Sequence, residues 1–234
     1  MKRKHLKRIF FLTFATDYNF IVRMDTDQLP DHIVYSKKVI EFITVAAETC
    51  LFLEHATEFS KTDFVQKSVK LLPLLYLNAS MLDIPDPVFD DIPERFVNED
   101  DYQYVRQQVE QLLGADDSYL EVFHPDMALS DTPIAAFVSE NMADVYQELK
   151  DFVANYQLGD IDIMNDALAS CLTAFGEHWG QKLLNGLRAM HALRFSDTFG
   201  SDEDDSDTTG RKLIDRNSFL NFQHDEDEEL TKLL

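Results

Sequence analysis

Val138, Met142, Val145, Leu149, Phe152 and Tyr156 recur at alternating spacings of four and three. That repeat lines six apolar side chains along one face of an α-helix. A helix so striped must bury its stripe, and the rest of the chain supplies rods to bury it against. Residues 36–59 contain neither Gly nor Pro, and Ser36 is placed to cap a helix by accepting from an orphan amide. Ser60-Lys61-Thr62-Asp63 has the capping-box form and opens a second helix towards Met81. Pro73, inside it, is expected to kink or split it, since proline removes a donor and crowds the preceding turn.

Residues 83–94 carry Pro85, Pro87 and Pro93 among five acids and read as a connector. Asn98 caps a third helix whose Glu99, Asp100 and Asp101 suit its positive end, and Gly114 stops it. Residues 119–124 fit either a short strand or an irregular packed loop. Thr132 is expected to cap the fourth, striped helix, with Pro133 as its first residue and Gly159 at its end. A fifth helix is expected over 162–195, carrying Leu168, Leu172, Phe175, Trp179, Leu183, Leu187 and Met190. The first helix is apolar almost all round, which predicts the central position for it. The fold class is therefore all-α: a bundle of about five helices, long and antiparallel, over residues 24–195.

The ends differ from this middle. Residues 1–23 hold six bases and one acid, and Ile9-Phe10-Phe11-Leu12-Thr13-Phe14-Ala15 imitates the core of a secretory signal. No small-x-small cleavage site follows, and the run is too short to span a bilayer. The expectation is a non-native extension with translation starting at Met24. Residues 24–234 then hold 42 acids and 15 bases, a balance of −27. Residues 196–234 form an acidic stretch with too little apolar surface to offset ordering, and a flexible tail is expected. Leu213, Ile214, Phe219, Leu220 and Phe222 make an apolar island in it, suited to folding onto a partner or back onto the chain itself.

Four stretches, YSKKVIEFITVAAETCLFLE (35–54), LLPLLYLNASML (71–82), SDTPIAAFVSENMADVYQELKDFV (130–153) and FGEHWGQKLLNGLRAMHAL (175–193), resemble the bacterial family catalogued as domain of unknown function 5063. The resemblance spans about residues 32–195. It implies an all-helical soluble protein and a start at Met24, and it brings no activity, cofactor or catalytic residue.

The chemistry readable from the residues is sparse. Gly176, Gly180 and Gly186 fall within a helix, as packing points rather than a phosphate loop. Cys50 and Cys171 sit in apolar helical runs and are expected to be inert core thiols. The excess of acid repels phosphate and argues against direct nucleic-acid binding. The 18 Phe and 8 Tyr follow helical periodicity and are expected to fill the core.

Metal candidates reduce to Glu41, Glu48 and His55, on a polar stripe with Thr44 that is either a solvent edge or a buried seam. Glu140, Asp144 and Glu148 are expected on a solvated face, His178 at the boundary of its helix's stripe as a hydrogen-bonded packing residue, and His191 outside. The reading is a cytoplasmic, non-enzymatic adaptor without a cofactor, binding a basic protein. The alternative is a carboxylate-bridged metalloenzyme around Glu41, Glu48 and His55. Acidic mimicry of nucleic acid is a third reading that composition does not separate from solubility.

Overall fold

The computed structural model describes residues 31–121, 134–196 and 199. The basic opening, the acidic tail and its apolar island (Leu213, Ile214, Phe219, Leu220, Phe222) lie outside the described residues. The chain divides into two units, Met1–Ser196 and Asp197–Leu234, and every described helix belongs to the first.

The described residues form five helices and one small ribbon. Helix α1 is Lys37–Glu54, α2 Lys61–Ser80, α3 Glu99–Leu113 and α4 Val138–Tyr156. Helix α5 comprises Ile161–Ala174, a π-helical turn at Phe175–Trp179, and Gly180–Arg194. Three of the four caps expected from sequence are made: Ser36 accepts from the Val39 amide, Ser60 from Asp63 and Asn98 from Asp101. Gly114 closes α3 with φ of 58°, a left-handed conformation that side chains rarely adopt. Pro73 does not split α2. It lies on the exposed side, where water can meet the carbonyl that its missing N–H leaves unpaired.

The start of α4 differs from expectation. Ile134–Phe137 is a strand, β2, antiparallel to β1 (Ser118–Glu121), with Ser118 opposite Phe137. The helix therefore begins at Val138, five residues beyond Pro133, and the Thr132-Pro133 pair lies outside the described residues. No side chain adjacent in sequence caps it. The cap comes from Asp117, which follows α3 and accepts from the Ser139 amide and hydroxyl, each at 2.7 Å.

The centre of the bundle is α4, not α1. It packs against α1, α3 and both halves of α5, and its buried residues lie all round its circumference. Composition misleads here because α4 buries Ser139, Asn141, Asp151 and Asn155 along with its apolar stripe. Close approach of α5 is possible at Gly186, where a Cβ would fall 2.3 Å from the Met142 methyl. A Cβ at Gly180 would strike the Phe175 carbonyl at 2.4 Å, so that glycine serves the π turn instead. Gly176 is exposed with open space around it and is not a packing point.

Candidate functional site

The sequence's metal candidates do not form a centre. Glu41 and Glu48 are exposed, with Glu41 3.7 Å from Lys37 Nζ. His55 Nδ1 lies 2.8 Å from Glu58 Oε1, a local i,i+3 contact beyond the end of α1. Among the described residues no three His, Cys, Asp or Glu side chains are arranged to hold a metal ion. His178 is exposed rather than packed, and His191 lies outside against the Phe195 ring.

Glu140 is exposed, but Asp144 and Glu148 are not on the solvated face expected of them. Asp144 accepts from the Tyr102 hydroxyl at 2.9 Å and pairs with Lys182 at 3.0 Å, tying α3 and α5 to α4. Glu148 is half-buried beneath Arg95. Both cysteines are buried, and burial pushes the Cys50 thiol up to about 12. Cys171 is likewise raised by burial. Neither supplies thiolate near neutral pH.

What the structure does assemble lies on the connector between α2 and α3. Residues 82–98 run as a strap across α4 and the first half of α5, without regular secondary structure of their own. A strap of this kind has unpaired backbone groups to satisfy, and four buried polar side chains satisfy them. On α5, Asp166 accepts from the amides of Val88 and Phe89 at 2.7 and 2.8 Å, and Asn165 donates to the Asp86 carbonyl. On α4, Asp151 accepts from the amides of Phe96 and Val97 at 2.7 and 2.9 Å, while Asn155 donates to the Glu94 carbonyl. Each end of the strap is thus clasped by an Asp–Asn pair.

The clasped strap turns its side chains outward. Ile84, Val88, Phe89, Ile92 and Phe96 are exposed, Ile92 to 80%. Asp83, Asp86, Asp90, Asp91 and Glu94 alternate with them and are exposed too. Leu74, Leu77 and Met81 add apolar surface at the end of α2. Exposed aliphatic and aromatic groups concentrated in one segment, rimmed by charge, mark a binding surface more often than chance exposure. From sequence the segment was recognisable as a connector. Its clasps were not, because Asp151 and Asp166 read as ordinary helix surface positions until the strap's amides are placed over them.

The two clasping carboxylates differ electrostatically. At Asp166, burial works to raise the carboxyl, but the amides of Val88 and Phe89 and the Asn165 side chain outweigh it and hold it below the ordinary 3.8. At Asp151, burial prevails over the two amides and Arg95, and the carboxyl is raised. A group depressed on folding stabilises at pH above its unfolded value, and that contribution is lost as pH falls through its folded value. Hydrogen-exchange protection of the Val88 and Phe89 amides should therefore hold as pH drops to 3.8 and decline below it. In Asp166→Asn, which keeps one acceptor oxygen where the two amides use both, at least one of them should lose protection already at neutral pH; unchanged protection at both would show that the clasp does not hold the strap.

Comparison with known proteins agrees with the fold. The family model described as Domain of unknown function (DUF5063) matches residues 33–196. The solved structure of protein BF1032 from Bacteroides fragilis is similar, with 43% identity and a TM-score of 0.64. The match covers 70% of this chain and 97% of that one. No curated protein shows a significant match.

Proposed function

The chain belongs to the DUF5063 family, and from its geometry we propose that it is a non-enzymatic binding module whose strap docks a basic protein. The observation that carries this reading is the clasped strap: an irregular segment fixed at both ends by buried side chains, with apolar and acidic groups alternating on its outer side. Exposed Ile92, Phe89 and Val88 offer desolvated contact, and the five acids around them select a partner of opposite sign. Both cysteines are free and buried, which suits a cytoplasmic setting. Among the described residues no helix is long and apolar enough to cross a membrane. The same acids disfavour nucleic acid as a direct partner.

Affinity capture with the full chain should retain a basic protein at low ionic strength and release it at high, where exposed charges are screened. Reversing the strap's charge in Asp90→Lys/Asp91→Lys, at two exposed positions whose own amides no clasp holds, should abolish that capture. Retention indifferent to both salt and charge reversal would overturn the reading.

A further inference from the structure

Asp166 and Asp151 do the same work with different completeness. Asp166 uses both oxygens: Oδ1 accepts from Val88 and Asn165, and Oδ2 from Phe89. Asp151 takes both strap amides on Oδ1. Its Oδ2 is buried without a hydrogen-bond partner, in a residue only 8% exposed. A buried carboxylate oxygen without a donor is costly, so a site that keeps one is suited to a donor from outside.

That oxygen belongs to a cleft between the strap and the two helices, with Ile92, Arg95, Glu148, Phe152 and Ala167 among its walls. Arg95 does not fill it. Its Nη1 stands 3.6 Å from Glu148 Oε1 and 4.0 Å from Asp151 Oδ2, outside hydrogen-bond range, and its side chain is 55% exposed. Two carboxylates face one loosely placed guanidinium, leaving net negative charge at the mouth. The interior is about 20 Å³, room for one water-sized group. An ammonium, with one heavy atom and three donors, is matched to so small an interior better than a planar guanidinium. At the mouth, exposed Ile92 gives an aliphatic stem apolar surface to lie along.

We propose that this cleft is a socket for the ε-ammonium of a lysine side chain presented by the basic partner. The assignment rests on the binding-module reading above and gives it an anchor point. Lysine's ammonium donates to Asp151 Oδ2 and to the Glu148 carboxylate, its stem runs out past Ile92, and Arg95 swings to solvent.

The test is a titration of the isotopically labelled full chain with Nα-acetyl-lysine-N-methylamide, followed by amide NMR. The norleucine and arginine analogues serve as uncharged and bulky controls. The lysine compound should shift the Phe96, Val97 and Asn155 amides saturably at millimolar concentration, the arginine analogue less, and the norleucine analogue not at all. Asp151→Asn keeps an oxygen for the strap amides and puts an NH2 where the bare oxygen was, so binding should weaken roughly tenfold or more. Glu148→Gln, which leaves the clasp untouched, should weaken it too.

Equal shifts from the norleucine analogue, no saturable shift from lysine, or undiminished binding by both variants would each overturn the socket. Basic-protein capture that survives Asp151→Asn while the lysine probe fails would remove the socket and leave the binding module standing. A saturating lysine probe with no basic protein captured would do the reverse.

Discussion

Asp117→Ala should lower the free energy of unfolding by about 2–4 kcal/mol in chemical denaturation, a large loss for one side chain. Helix α4 is the rod on which the bundle is assembled, and its first turn has no cap from the residue before it. Asp117 meets two donors there, the Ser139 amide and hydroxyl, and both Asp117 and Ser139 are buried. Alanine leaves those donors desolvated and unpaired, and also withdraws negative charge from the helix's positive end. Burial raises the Asp117 carboxyl, the two bonds from Ser139 only partly offsetting it. Its contribution is thus fullest below the unfolded carboxyl value and diminishes as pH rises through the folded one. Asp117→Asn, neutral and still able to accept, should accordingly cost much less than alanine. A loss under about 1 kcal/mol for Asp117→Ala would mean that α4 does not depend on this cap.

Trp179→Ala should cost about 3–5 kcal/mol, the range for emptying a large aromatic site in a core. Trp179 is fully buried. Its ring packs 4.7 Å from that of Phe175, which meets Tyr76 of α2 at 5.1 Å. The indole also acts as a strut, since Nε1 donates to the Cys171 carbonyl at 2.9 Å from the far side of the π turn. Trp179→Phe separates the two contributions by keeping a ring and deleting the donor, and should cost about 1–2 kcal/mol. Because Trp179 is the chain's one tryptophan, the measurement must follow helical circular dichroism rather than fluorescence. A cost for alanine no greater than for phenylalanine would show that the ring's volume is not what holds α5 to the bundle.

These two residues mark where sequence is informative and where it is not. The caps at Ser36, Ser60 and Asn98 were legible because donor and acceptor lie three residues apart and chain geometry alone brings them together. The α4 cap was not legible, because Asp117 lies 22 residues before Ser139 and reaches it only once the ribbon has paired Ser118 with Phe137. Thr132-Pro133 looked like a helix start on local grounds, and strand pairing overrode it. Periodicity located α4 but not its centrality. Asn155 and Asp151 look like the polar face of an amphipathic helix until the strap covers them. The clasps depend on partners 54 to 79 residues away, a distance over which no spacing rule operates. The five exposed acids of the connector were visible from the start; that they stand on a fixed surface was not.

The hydrogen bonds by which the clasps grip the strap reach its main chain alone. Asp166, Asp151, Asn165 and Asn155 engage only amides and carbonyls of the residues they hold, so attachment is indifferent to which side chains those residues carry. Outward positions such as Val88, Phe89, Ile92 and Phe96 can be exchanged without loosening the mounting. Related chains are thereby free to diverge in the surface that the strap presents while inheriting the same frame, much as an interchangeable faceplate fits a standard housing.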